Sequence, residues 1–412
     1  MNDAASATIH ETVAADRQRA VAFLAELVRT PTDNPPGDLA PAAERIGGLL
    51  EELGFEVERH PVPDAVVRAA GMKSCVNLVV RRRFAGDGPV IALNAHGDVV
   101  PPGEGWSIDP YAGEIRDGWM YGRGVAVSKS DIASYAFAVR ALEPLAATLG
   151  GTVELHVTFD EETGGEIGPR WLLEQGIVRP DLALCAGFSW QVVNAHNGCL
   201  HLEVTVRGRS AHAALPATGI DALEAATAAL AALYAHRRAL AGKVSEVPGI
   251  GSPQLTVGLV EGGINTNVVP DRVTFRLDRR LIPEERGEEV ETALAALIRE
   301  AVAEVPGATV AIRRVLLAEP LRPLPGAERL AASLAGHARA VLGEPVAIGG
   351  VPLYTDARHY AAAGVPVVLY GAGPRTIEEA NAHRADERLP LDILPKATEV
   401  VARVLNELLR EG

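Results

Sequence analysis

Two strand-length segments constrain this chain most. Pro89–Asn94 (PVIALN) is apolar on both faces, and Thr152–Phe159 (TVELHVTF) reads as a second buried strand. Such strands belong in a sheet covered on both sides, not in one with a wet face. Around them helical and strand patterns alternate. Helices are expected over 16–29, with Pro31, Pro35 and Pro36 behind it, and over 41–53, closed by Gly54. Strands follow at 75–80 and 89–94, then a helix at 130–145, the strand at 152–159, and a helix through 171–175 with Pro169 near its start. This is α/β alternation.

The pattern changes near Gly198. Residues 200–207 (LHLEVTVR) alternate and read as a strand with one wet face. A long Ala/Leu helix over 220–240 follows, then strands at 254–260 and 272–280, a helix over 284–305 and a strand at 309–315. The order β-α-β-β-α-β is that of a ferredoxin-like unit. The α/β pattern then resumes, with a helix near 328–342 and a strand at 366–370. The expected architecture is a larger α/β domain, 1–198 and 317–412, with a mixed, mostly parallel sheet covered by helices, interrupted by a smaller α+β domain at 199–316.

Bulk properties exclude several classes. The formal net charge is −14 over 412 residues, and the longest basic run is Arg81–Arg82–Arg83, so nucleic acid is not an expected partner. No stretch reaches the roughly 18 apolar residues of a membrane span, and residues 1–19 show no apolar core of a secretory signal. Cys75, Cys185 and Cys199 form no C-x-x-C pair and make a poor disulfide framework. A reducing, cytoplasmic setting is expected.

The chemistry-bearing segments stand where strands end. His96-Gly97-Asp98 follows PVIALN at the edge where open α/β sheets bind ligands. A histidine there can bind a metal through one ring nitrogen while a carboxylate orients the ring. A capped turn is the ordinary alternative. Glu161-Glu162 follows the second buried strand. Adjacent carboxylates there repel unless a cation lies between them. One can hold a metal while its neighbour accepts a proton from water. Asn381-Ala382-His383-Arg384-Ala385-Asp386-Glu387 taken alone reads as a polar loop. In the inserted block, Gly208-Arg209-Ser210-Ala211-His212 and Asn265-Thr266-Asn267 precede Arg280, whose guanidinium can clasp a carboxylate. Surface histidine, turn chemistry and a surface ion pair are their ordinary alternatives. No P-loop and no G-x-S-x-G is present.

Taken in order, these segments resemble the zinc-dependent family of aminoacylases, acetylornithine deacetylases, succinyl-diaminopimelate desuccinylases and carboxypeptidase G across nearly the whole chain. The resemblance rests on NAHGDVVP (94–101), YGRG (121–124), Glu161-Glu162, GRSAHAA (208–214), NVVPD (267–271), Thr355-Asp356-Ala357-Arg358 and NAHRADE (381–387). It implies that His96 is a metal ligand oriented by Asp98, that Glu161 is the general base, and that Glu162 and His383 are ligands. It implies that His212 stabilises the oxyanion, in a partner subunit's site, that Asn267 and Arg280 bind substrate, and that the inserted domain is a lid through which the chain dimerises.

The chain departs from that family at two places. Val127 stands where the pattern carries an aspartate bridging two metals, and the segment after 182–186, Gly187-Phe188-Ser189-Trp190, lacks the usual carboxylate. Two nearby cations without a shared anion repel strongly. The remaining His96, Glu162 and His383 match a catalytic zinc set with an open position. One divalent metal per subunit is therefore expected: zinc, with manganese or cobalt as alternatives. Asp131 and Cys185 are candidate replacement ligands. Against Asp131 stands a capping box, with Ser128 as N-cap and Asp131 at N3. Against Cys185 stands inert strand packing.

The expected activity is hydrolysis of an amide C–N bond in a small carboxylate-bearing molecule such as an N-acyl amino acid. Two alternatives stay open. Phe188 and Trp190 could line the site for an aromatic amine, which would make the chain a hydrolytic deaminase of the nitroanthranilate type. Loss of ligands could instead mark a non-catalytic binding relative, a reading that the retention of Glu161 opposes.

Overall fold

The computed structural model describes residues 2–410. Met1, Glu411 and Gly412, which the sequence reading placed at the two ends of the larger domain, lie outside the described residues. Two compact units result: residues 1–194, 323–349 and 355–412 form the first, and 195–322 with 350–354 form the second.

The first unit is built on a mixed eight-stranded sheet. Its order is Val57–Pro61, Val76–Arg83, Gly150–Thr158, Gly86–His96, Leu182–Cys185, Val367–Leu369, Gln191–His196 and Ala347–Val351. The run from Gly150–Thr158 to Val367–Leu369 is parallel throughout, and Val76–Arg83 and Gln191–His196 flank it antiparallel. On one face Ile91, Leu93, Val153, Leu155 and Val157 pack under the helices Asn2–Val28, Ser130–Arg140, Ala327–Leu342 and Ile393–Arg410. The N-terminal helix is longer than the expected 16–29, because Ile9 and Val13 also reach this core.

The other face departs from a simple apolar reading. Glu154, His156 and Thr158 are buried there too. They are satisfied by one another and by neighbours, since polar groups buried without partners are costly. Arg81 pairs with Glu154, Glu154 Oε2 lies 3.0 Å from His156 Nε2, and His156 Nδ1 lies 2.8 Å from the Tyr360 hydroxyl. The helices Pro169–Glu174 and Ala357–Ala362 cover this side.

The second unit has the expected element order and closes a four-stranded antiparallel sheet. Gly198–Arg207 lies between Arg272–Leu281 and Thr309–Ala318, and Gln254–Gly262 forms an edge. Leu200, Leu202, Val204 and Val206 alternate inward and pack with Phe275, Leu277, Ala229, Leu233, Leu294 and Ile298. The helix Ala222–Leu240 starts cleanly because the Asp221 carboxylate accepts from the amides of Leu223 (2.8 Å) and Glu224 (3.1 Å).

One buried ion pair fixes a loop of the first unit. Arg123 and Glu387 are each 1 % exposed, and Arg123 Nη1 lies 2.6 Å from Glu387 Oε2. Glu387 Oε1 also accepts from the Ala126 amide at 3.0 Å. This joins the Tyr121–Gly124 turn to the end of the 381–387 loop. Burial still pushes the Glu387 carboxyl above its ordinary range, against the pull of Arg123. Replacing Arg123 with Ala leaves that carboxylate buried and unpaired. We expect a loss of about 3–5 kcal/mol of stability, read by urea unfolding. A loss within experimental error would show that water replaces the guanidinium without cost.

Candidate active site

The site grows from two neighbouring parallel strands that end level with each other. His96 closes Gly86–His96 and pairs in register with Thr158, the end of Gly150–Thr158. The chain leaving the first strand carries Asp98. The chain leaving the second makes a tight turn through Glu161 and Glu162.

Asp98 organises both. It is fully buried. Its carboxylate accepts from the amides of Glu161 (3.3 Å) and Glu162 (3.2 Å) and from Asn34 Nδ2 (3.0 Å). Its backbone carbonyl lies 3.0 Å from His96 Nδ1, and its Oδ1 lies 3.4 Å from the same nitrogen. With Nδ1–H donated to that carbonyl, the Nε2 lone pair faces Glu161, whose Oε2 is 3.9 Å away. His96 Nε2 and a carboxylate oxygen from each of Glu161 and Glu162 lie within 4.8 Å of one another. His383 joins through Glu162, with Nε2 3.3 Å from Oε1. Its backbone takes the left-handed region at φ +62°, uncommon outside glycine, and the Arg123–Glu387 pair holds the loop that carries it.

The electrostatics of this cluster are lopsided. Asp160, Glu161 and Asp356 are all pushed upward, burial first and then the neighbouring carboxylates. Burial works against a charged His96 ring, but Asp98, Glu161 and Glu162 outweigh it and raise its pKa well above the usual value. The Glu162 hydrogen bond likewise raises His383. In chemical terms the donor set attracts positive charge and fits a divalent cation.

Residues without a sequence-assigned role complete the surroundings. Asp356 lies close enough to Glu161 to raise its own pKa, and its Oδ2 lies 3.4 Å from Thr158 Oγ1. Arg358 bonds the Gly164 carbonyl, and His359 Nε2 lies 3.2 Å from the same oxygen. Gly165 makes this approach possible. It sits at φ +69°, where a Cβ would lie 2.1 Å from Asp356 Oδ1 and 2.8 Å from His359 Nε2. The Thr-Asp-Ala-Arg run was visible as a motif, but only the folded chain brings Asp356 beside Glu161. Asn34, between prolines, gave no signal.

The replacement ligands are placed elsewhere. Val127 packs against the main core. The expected capping box does not form. The helix starts at Ser130 with Lys129 before it and no side-chain cap, and Ser128 Oγ instead bonds the His96 carbonyl (3.0 Å) and amide (3.1 Å). The strand end of His96 offered unpaired backbone groups, and these took the hydroxyl. Asp131 Oδ1 accepts from the Ala372 amide at 2.7 Å, and burial pushes its carboxyl up to about 7. Cys185 is buried at the end of its strand, and burial pushes its thiol well up. Among the described residues, neither belongs to the His96–Glu161–Glu162 group. Trp190 donates its indole N–H to Glu344, and the Arg375 guanidinium lies 4.7 Å from the ring centre.

The remaining candidates lie in the second unit. His212 and Asn267 are exposed. His212 Nδ1 accepts from the Ala214 amide at 3.0 Å, and Arg280 pairs with Asp278 at 3.1 Å. No helix among the described residues is long and apolar enough to cross a membrane.

Known proteins share this plan. A family model described as peptidase family M20/M25/M40 matches residues 92–407. A succinyl-diaminopimelate desuccinylase of Acidiphilium cryptum is 30% identical over 395 residues, 93% of this chain and 97% of that protein. An acetylornithine deacetylase of Myxococcus xanthus is 30% identical over 390 residues, 93% of this chain and 96% of that protein. A tripeptidase structure from Staphylococcus aureus superposes with a TM-score of 0.75 at 20% identity, covering 96% of this chain and 99% of that one. The chain belongs to peptidase family M20/M25/M40, whose members are metal-dependent hydrolases of amide bonds.

Proposed function

We propose that this chain hydrolyses the amide bond of a small N-acylated, carboxylate-bearing molecule, at a centre where His96, Glu162 and His383 hold one divalent cation. The observation that carries this reading is the crowding of buried carboxylates around His96, whose Nε2 is turned toward them. Zinc suits two imidazoles and a carboxylate best, with manganese and cobalt as alternatives. When bound, the cation supplies Lewis-acid polarisation of the scissile carbonyl and makes water more acidic.

The chain's own residues do the rest. Glu161 accepts a proton from the attacking water and returns it to the leaving nitrogen. Its burial raises its proton affinity, which suits a group that must both take and release a proton. Asp98 fixes the His96 tautomer through its carbonyl and holds the Glu161–Glu162 turn through its carboxylate. One cation rather than two is supported by the apolar, partly buried Val127 packed against the core and by Asp131 committed to the Ala372 amide. His212, Asn267 and Arg280 keep substrate-facing roles in this proposal, and the exposure of His212 and Asn267 leaves both open to a ligand. Dimerisation through the second unit is supported by exposed Leu259 and Val260 on its edge strand and Ile264 beyond it. The deaminase alternative loses part of its motive, because Trp190 is already engaged by Glu344 and Arg375.

Glu161→Gln should lower kcat on N-acetyl and N-succinyl amino acids by about 10²- to 10⁴-fold with metal content unchanged. Loss of metal along with activity would move Glu161 into the ligand set and defeat its role as base. The wild-type protein should release a carboxylic acid from N-acyl amino acids and no ammonia from aminobenzoates. Ammonia release without deacylation would replace this function with deamination.

A further inference from the structure

One face of the second unit's sheet carries three side chains, Cys199, His201 and Asp278, to which the proposed amide hydrolysis gives no role. Cys199 and His201 are two apart on Gly198–Arg207, so both project to the face opposite Leu200 and Leu202. The neighbouring strand presents Arg280 opposite Cys199 and Asp278 opposite His201. Cys199 Sγ lies 3.1 Å from His201 Nε2 and 3.7 Å from Asp278 Oδ1, and His201 Nε2 lies 3.3 Å from Asp278 Oδ2.

Two chemistries use such a trio. A nucleophilic triad needs the carboxylate on one imidazole nitrogen and the thiol on the other. Here a single nitrogen, Nε2, faces both, so His201 cannot relay a proton between them. A metal site needs the reverse, with all donor atoms turned to one point. Thiolate, imidazole and carboxylate at bond lengths of about 2.0–2.3 Å in a tetrahedron stand about 3.3–3.7 Å apart. The Sγ–Oδ1 and Nε2–Oδ2 separations of 3.7 and 3.3 Å fall in this range, the Sγ–Nε2 separation of 3.1 Å is shorter, and one donor atom from each residue lies within 4.8 Å of the others.

We propose that Cys199, His201 and Asp278 form a second metal site, selective for a borderline-soft divalent cation of the zinc class. Sulfur and imidazole ligation disfavours magnesium and calcium. Binding releases the thiol proton to solvent. Cys199 Sγ lies nearest Oδ1 and His201 Nε2 nearest Oδ2, so the Asp278 carboxylate as a whole faces the other two donors, and Arg280, 3.1 Å from Oδ2, orients it. Cys199 is buried while His201 and Asp278 are 37% and 32% exposed, so the fourth position opens to water on the side of these two. A measured second equivalent of metal per chain then has a source that needs no bridging carboxylate at position 127.

The test is cobalt(II) titration of the full-length chain after chelator treatment, following the near-ultraviolet sulfur-to-cobalt absorption. The His96, Glu162 and His383 set contains no sulfur and cannot produce this band. One equivalent of band is expected in the wild type and in His96→Ala and Cys185→Ser. It should vanish in Cys199→Ser and weaken at least tenfold in apparent affinity in His201→Gln, a half-exposed position whose replacement spares the core. Circular dichroism checks that each variant is folded. Absence of the band in the wild type, its survival in Cys199→Ser, or its loss in folded His96→Ala or Cys185→Ser would overturn the proposal.

Discussion

The Asp98 carboxylate is the interaction on which the site depends. It is fully buried and accepts from two consecutive backbone amides and from Asn34. Those amides belong to the two glutamates whose charges it should repel. Backbone dipoles thus hold an anion at the root of the turn and aim two further anions away from it, toward His96. Remove the amide contacts and nothing would keep Glu161 and Glu162 side by side at a buried strand end. The upward push on Glu161, Asp160 and Asp356 is the electrostatic cost of the arrangement, and a cation is its natural remedy.

The supporting shell works by the same logic of occupied polar groups. Ser128 bonds both backbone groups of His96, so the position of this histidine is set from behind as well as from its ring. Asp131 reaches Gly371-Ala372, where a Cβ on Gly371 would lie 1.7 Å from its Oδ1. That glycine lets a buried carboxylate tie the end of one strand's loop to the start of the Ser130–Arg140 helix. An aspartate so engaged serves the framework, and its nearness in sequence to Val127 is no guide to its role.

Much of this was legible in the sequence because periodicity and order carry over directly into topology. The apolar face of PVIALN, the switch to alternation at Leu200 and the β-α-β-β-α-β order all survive folding, since each reflects which face must be dry. Adjacent motifs were also legible: His96, Asp98, Glu161 and Glu162 meet because parallel strands end level. Long-range pairings were not. Nothing local in Arg123 announces Glu387, and nothing in Asp356 announces Glu161. The buried polar face of Gly150–Thr158 was hidden for a related reason, because its partners Arg81 and Tyr360 are far away in the chain. The Ser128–Asp131 cap failed because its spacing fits a local rule while both side chains found buried backbone groups elsewhere.

Val127 fits the one-cation reading on electrostatic grounds. The cluster around His96 already holds more buried carboxylates than its histidines and Arg358 can balance. A further acid at position 127 would add an anion that only a second cation could offset. A chain with one cation gains by placing an apolar side chain there, and Val127 accordingly packs, partly buried, against the core. The missing acid after Leu182–Cys185 follows the same reasoning, and the backbone there turns through Gly187, whose amide and carbonyl are used by Asp131 and Gly373. Both departures therefore remove negative charge from the site's surroundings together, as the proposed single cation requires.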